Sequence, residues 1–253
     1  MKRYRLFLAA LVLVAVNMTA NATQRVEFSA DAVQTGPDKR TQSRRMYVGS
    51  NGIRNEGGVQ GKQVIQIINQ STGVSWTLFP EQRSYLEMAI PAIAAQMVGS
   101  SIKNPCDAMP GASCRQLGKE MLNGRNTAKW EITGTMNGKQ VRGFQWIDEQ
   151  NKLPVRQYMP DGAVIEMVFK GRERIQGRNT EKWLVEVRTS QGQSSRSTQW
   201  YDPELKVTVR EEHAGGFVNE LRNIRTGKQN PELFTLPAGY KKISMPIPAS
   251  GHR

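Results

Sequence analysis

Gly124-Arg125-Asn126-Thr127-Ala128-Lys129-Trp130 recurs 53 residues later as Gly177-Arg178-Asn179-Thr180-Glu181-Lys182-Trp183. Gln145-Trp146-Ile147-Asp148 is answered by Gln199-Trp200-Tyr201-Asp202 at an offset of 54, which holds at Arg156/Arg210, Gly162/Gly216 and Glu166/Glu220. A period of this size marks a duplicated supersecondary unit, with copies over 118–170 and 171–224. In the first copy Ala128, Trp130 and Ile132 share one face of a strand. Asn137-Gly138 then reads as a hairpin turn, Phe144 and Trp146 alternate on the return, and Asp161-Gly162 turns the chain again. The second copy follows with Trp183, Val185 and Val187, then Trp200, then Val207 and Val209. Its extra residue predicts a bulge between Val187 and Gln191, since a plain insertion would flip every later side chain.

Working outward, 25–34 alternates (Val26, Phe28, Ala30 and Ala32 against Glu27, Ser29 and Asp31) and reads as a half-buried strand. Ser50-Asn51-Gly52 predicts a tight hairpin using the positive φ that Asn-Gly supplies. Val64 to Ile68 and Val74 to Leu78 are further strands, and Tyr85-Leu86-Glu87 closes this block. Trp76 precedes Tyr85 by nine positions, the spacing of Trp146 to Val155 and Trp200 to Val209. That spacing alone does not make a third copy. Ile90, Ile93, Ala94, Met97, Val98 and Ile102 recur at helical intervals, with Pro91 suited to a first turn. Residues 103–116 read as a proline- and cysteine-containing loop. The expectation is mainly β: ten to twelve strands in a strongly curved antiparallel sheet, or incomplete half-barrel, with helix 90–102 on its concave side.

Residues 1–22 read as a signal peptide: Lys2, Arg3 and Arg5 precede an apolar run from Leu6 to Val16, and Ala20-Asn21-Ala22 offers a cleavage site after Ala22. That implies export, best to a bacterial periplasm. A single domain over 23–243 and a mobile basic tail over 244–253 follow. Three of the formal +13 charges belong to the leader's cations, leaving +10 on the remaining chain. In an exported protein this excess points to anionic headgroups, acidic glycans or acidic proteins rather than nucleic acid. The two cysteines, Cys106 and Cys114, eight positions apart, predict a small disulfide-closed loop.

The chemistry of catalysis is not written here. With only His213 and His252, neither a zinc site nor a cofactor is expected. No Gly-x-Ser-x-Gly elbow or phosphate-binding glycine loop occurs. His213, beside Glu211 and Glu212, reads as an exposed turn residue. The pairs Glu166/Glu220 and Asp148/Asp202 read as polar positions retained through duplication rather than acid–base partners. Trp76, Trp130, Trp146, Trp183 and Trp200, with Ile90, Ile93 and Met97 of the helix, either line an apolar pocket or fill the core.

Several of these features together resemble the outer-membrane lipoprotein carrier superfamily, the LolA/LolB/RseB-type fold, and most of all its uncharacterised exported members. They are the leader, Ser75-Trp76-Thr77-Leu78-Phe79-Pro80 leading to Tyr85-Leu86-Glu87-Met88, the helix after it, the Lys129-Trp130 strand, and Leu236-Pro237-Ala238-Gly239-Tyr240. The resemblance implies an eleven-strand half-barrel whose helices close a hydrophobic cavity for acyl chains. The 53-residue duplication departs from that pattern. The expected function is non-enzymatic binding of a lipid, acyl chain or other apolar ligand between sheet and helix, in the setting of envelope lipid or lipoprotein transport, with an anionic membrane surface or envelope protein as further partner. The alternative is a sensor or assembly module with a self-filled core.

Overall fold

A computed structural model describes residues 25–90, 104–109, 111–136 and 138–244. One meander comprises β1 (Phe28–Thr35), β2 (Thr41–Val48), β3 (Gly52–Val59), β4 (Lys62–Asn69), β5 (Val74–Phe79) and β6 (Ser84–Ala89). The other opens with β7 (Ser113–Leu122), β8 (Arg125–Met136), β9 (Lys139–Asp148), β10 (Pro154–Tyr158) and β11 (Val164–Ile175). It continues through β12 (Arg178–Arg188), β13 (Ser194–Asp202), β14 (Val207–His213) and β15 (Val218–Thr226). A two-residue β16 (Lys241–Lys242) returns parallel to β6. The strands form one sheet in the order β16-β6-β5-β4-β3-β2-β1-β15-β14-β13-β12-β11-β10-β9-β8-β7, so the N-terminal meander is appended to the end of the C-terminal one. The sheet is curved and stays open.

The mainly β, curved and unclosed architecture is as expected, but sixteen strands replace the ten to twelve read from the sequence. Part of the gain is β7, whose first residues the sequence reading assigned to a loop. Cys106 sits in a 3-10 turn (Pro105–Ala108), while Cys114 lies in β7 opposite Ile132. Their disulfide is present, with Cα atoms 5.8 Å apart. The helix expected over 90–102 lies, beyond Ile90, outside the described residues. Among the described residues the helical pieces are three 3-10 turns, Pro80–Gln82, Pro105–Ala108 and Pro231–Phe234.

Two turn readings change. The turns Asn123-Gly124 and Gln176-Gly177 hold positive φ at both residues (50° and 76°, 48° and 81°), the geometry that matches strand twist in a two-residue hairpin. Asn51-Gly52 does not. Gly52 and Gly49 are needed for space instead: a Cβ would lie 2.9 Å from Phe234 Cβ at Gly52 and 2.3 Å from Phe234 Cε2 at Gly49. Nor is the extra residue of the second copy a bulge in β12. That strand pairs with β13 in unbroken register from Glu181↔Tyr201 to Arg188↔Ser194. The first copy carries its pairing out to Met136↔Lys139, whereas the second closes through Thr189 N–H donating to Gln193 O (2.8 Å). The insertion is absorbed in the turn, where it costs no ladder bond.

Register also exposes a diverged third unit. Lys129↔Trp146↔Arg156 and Lys182↔Trp200↔Arg210 run across three strands in the two copies. Ser29↔Tyr47↔Arg54 makes the same row on β1–β3. Arg25 stands four residues before Ser29, as Arg125 and Arg178 stand before Lys129 and Lys182. It donates to Gly49 O (3.3 Å), the position held by Asp148 and Asp202 in the copies. Arg54 bonds Glu56 (2.6 Å) as Arg210 bonds Glu212 (2.5 Å). The unit that comes first in the chain therefore stands third in the sheet. Trp76 is not its counterpart.

Three apolar clusters hold the sheet. Phe28, Ala30, Val48, Trp200, Leu205, Val207 and Val209 form one, at the junction of the meanders. Ile65, Ile67, Leu78 and Phe234 form another, with Leu236 and Tyr240 of the C-terminal segment packed against it. Trp146, Val155, Trp183 and Tyr201 form the third. Burying such side chains is worth about 1.5–3 kcal/mol each, which offsets the entropy of ordering a sheet with so many long-range pairings.

Candidate ligand groove

Successive residues on a strand point to opposite faces, so the pairings sort the five tryptophans. Trp146 and Trp200 occupy equivalent places in the rows above. Following the pairs through Arg210↔Glu220↔Val33, then Ser29↔Tyr47↔Arg54↔Ile67↔Trp76, puts Trp76 on the same face. Trp130 pairs with Gln145 and Trp183 with Gln199, one residue out of phase, so these two leave by the other face. Parity alone does not keep the two sets apart, since Trp146 and Trp183 are buried in one cluster with Val155 and Tyr201. Ile90 follows β6 and donates its N–H to Gly73 O (2.8 Å). Ile93 and Met97 lie outside the described residues.

The face of Trp76, Trp146 and Trp200 is a wall of clamps. Trp200 Nε1 donates to Glu173 (2.9 Å), which also binds Lys182 (3.1 Å), and the ammonium lies 4.9 Å from the indole centroid. Trp146 Nε1 donates to Glu120, with Lys129 at 4.7 Å over the ring. Trp76 Nε1 donates to Glu87 (3.0 Å), which pairs with Lys242 (2.7 Å). The carboxylates read as retained polar positions are each tied to arginine. Arg125 grips Asp148 twice (3.2 and 2.7 Å), Arg178 pairs with Asp202, Arg156 with Glu166, and Arg210 with Glu220 (3.3 Å). Their chemistry is structural.

The alternate, largely aliphatic set of positions carries Phe28, Ala30, Val48, Ile53, Trp183, Val185, Ile147 and Trp130, and it meets the first set in the cores, where Trp200 packs with Phe28, Ala30 and Val48 and Trp146 with Trp183. It is interrupted at its middle by a polar row, Gln199↔Glu211↔Asn219↔Gln34↔Gln42, running from β13 to β2. Here the sheet parts. β14 and β15 pair only from Arg210↔Glu220 to Glu212↔Val218, and a register shift lies beside Trp200 and Tyr201. Beyond the last pair a groove of about 330 Å³ opens, with Ala32, Val33, Val209 and Leu221 as its apolar lining and a larger set of polar residues that includes Gln34, Gln42, Arg44, Glu211 and Glu220.

The charges in the groove are unequally satisfied. Glu211 accepts from Ser197 Oγ (3.0 Å) and Gln199 Nε2 (2.8 Å), and His213 Nε2 lies 3.4 Å from its other oxygen. Burial pushes the Glu220 carboxyl up, but Arg222, Gln176 and Arg210 bring it below its ordinary value. Gln34 Nε2 donates to Asn219 (3.1 Å). Arg44 is exposed and makes no ion pair among the described residues. Its stem lies across Gly57, where a Cβ would stand 2.7 Å from Arg44 Cγ.

Comparing the copies for their differences locates this place. Gly143, Gln157 and Met159 of the first copy become Ser197, Glu211 and His213 in the second. Gln145 donates to Gln157 (3.1 Å) where Gln199 donates to Glu211. The identities between the copies hide this difference, a carboxylate of the second copy with donors around it. His213 ends β14 and is half exposed, close to the turn position expected. Ser197 Oγ donates to Glu211 and not to His213, so the three residues do not stand in the hydroxyl–imidazole–carboxylate order of a serine triad. Among the described residues no group of three or more His, Cys, Asp or Glu is placed to hold a metal.

No protein-family model and no curated protein matches the chain. Among solved structures it is similar to a LolA superfamily protein from Nitrosomonas europaea (13% identity, 84% of this chain and 90% of that one, TM-score 0.39). It is also similar to a DUF1329 family protein from Desulfovibrio piger (14%, 83% and 90%, TM-score 0.36). A third likeness is to the Pseudomonas aeruginosa MucA/MucB complex structure (9%, 83% and 96%, TM-score 0.23). The Nitrosomonas europaea protein carries the name of the superfamily that the sequence resembles. At such identities none of the likenesses extends to individual side chains.

Proposed function

We propose that this chain is an exported, cell-envelope binding protein that holds an amphipathic molecule with an acyl-type chain against the aliphatic face, seated in the groove between β14 and β15. The observation that carries this reading is the groove itself: an opening of about 330 Å³ in which Ala32, Val33, Val209 and Leu221 lie beside Gln34, Gln42, Arg44 and Glu211. Its volume is in the range of ligand sites, which begins at roughly 300 Å³. The leader-like N-terminus and the +10 charge after it support an envelope setting. The saturation of Glu211 and the arginine-bound carboxylates favour binding over catalysis.

The test is a fluorescence titration of the purified chain without its leader, using a fluorescent long-chain fatty acid and unlabelled competitors. Saturable binding is expected, weakened at least roughly tenfold by Leu221→Asp, because a charge in the apolar lining costs the ligand more than the burial it replaces. Absence of binding, or a Leu221→Asp variant that binds as well as the parent, overturns the reading.

A further inference from the structure

We infer that the groove selects amphiphiles by charge: Arg44 is the receptor for a single anionic head group, carboxylate or phosphate. This rests on the reading above and names the ligand's polar end. Both carboxylates that line the groove are already engaged, Glu211 by Ser197, Gln199 and His213, and Glu220 by Arg210, Arg222 and Gln176. The cation at the rim is not: Arg44 is exposed and makes no ion pair among the described residues, so its guanidinium is open to an incoming anion, three strands away from the Glu211 carboxylate. A neutral head group would leave that guanidinium as solvated as before and gain nothing from it. An anion gains a two-point, charge-assisted contact whose geometry the planar guanidinium matches.

The stem of Arg44 is restricted on one side, where its Cγ and Cδ lie over the bare backbone of Gly57 just beyond the last β2–β3 pair, Arg45↔Glu56. Less side-chain entropy is then lost when an anion docks. On β1 the cross-strand neighbour of Arg44 is Ala32, one of the four apolar lining residues, so cation and apolar surface stand side by side. A ligand gripped there by its head lays its chain over Ala32 towards Val209 and Leu221. The opposite orientation would put hydrocarbon on Gln34, Gln42 and the charge.

The experiment compares four probes on the chain without its leader: a long-chain fatty acid, its methyl ester, a long-chain monoalkyl phosphate, and inorganic phosphate alone. Each is measured by competition or calorimetry on the parent protein, Arg44→Gln and Arg44→Lys. The acid and the alkyl phosphate should bind roughly tenfold or more tightly than the ester. Arg44→Gln should erase that gap while leaving the ester unchanged, Arg44→Lys should keep part of it, and added salt should narrow it. Acid and ester bound equally, or Arg44→Gln weakening both alike, overturns the head-group assignment and leaves amphiphile binding standing. Inorganic phosphate binding as tightly as the alkyl phosphate shows an anion site without a chain, and overturns it too. Binding of none of the four removes both readings. Because Arg44 is exposed, unchanged circular dichroism and unfolding midpoints confirm that the variants are folded.

Discussion

Arg125 closes a two-point contact on Asp148, Nε to Oδ1 at 3.2 Å and Nη2 to Oδ2 at 2.7 Å, between the first residue of β8 and the last of β9. Both side chains are buried, and Glu181 of the second copy approaches the same guanidinium at 3.7 Å. Phe169 and Trp183 lie within 5.4 Å of it. One cation thus joins the two copies of the repeat. Arg125→Ala would leave two buried carboxylates without it, and should cost about 3–5 kcal/mol in urea unfolding. Arg178→Ala should cost less, since Asp202 keeps the backbone N–H groups of Glu204 and Leu205 (2.9 and 3.1 Å).

The C-terminal segment should behave as a strap whose fit depends on two missing side chains. Gly49→Ala forces its methyl against the Phe234 ring, so a loss of about 1–3 kcal/mol is expected. Phe234→Ala removes the ring and with it the clash, at the expense of the cluster it completes. The double variant should therefore be no less stable than Phe234→Ala alone. A fully additive cycle in chemical denaturation would contradict this packing.

Acid sensitivity follows from the arginine-bound glutamates. Hydrogen bonding to Arg156, its neighbouring charge and Asn123 hold Glu166 below its ordinary value of 4.5 despite burial. A carboxylate with a depressed folded pKa contributes stability that is complete above the unfolded value and is lost as pH falls through the folded one. Arg156→Gln should thus lower stability by about 1 kcal/mol at neutral pH, and the difference from the parent should begin to shrink as pH falls past 4.5 and be smallest below the lowered folded value. Tryptophan fluorescence during unfolding at several pH values measures it.

The disulfide should matter locally. The bridge spans a separation of eight residues and anchors the edge strand β7, which pairs only with β8. Replacing both cysteines by serine should cost about 2–3 kcal/mol, the loop-closure value for so short a ring. Hydrogen exchange should place the loss in β7 and β8, with the amides of β1 and β15 unchanged.

Local rules made much of this legible beforehand. The strand period, the duplicated Arg–Lys–Trp block and the cysteine spacing needed nothing beyond neighbours along the chain, because β alternation and turn chemistry are local. The same period misled where partners mattered. Asn51-Gly52 looked like a turn pair because the ring that rests on Gly52 arrives from Phe234. The five tryptophans looked alike because a residue's face is fixed only by the register of the strand beside it.

The chain alone settled that this is an open β meander built on a repeat, since alternation and duplication are written in residue order. Pairing across the sheet settled the rest. It set β1 beside β15, so that Tyr47 stands in a third row with Trp146 and Trp200. It also brought Arg44, Glu211 and Leu221 from three distant strands to one opening. Contacts between strands this far apart in sequence depend on which edge meets which, and no window of residues records that.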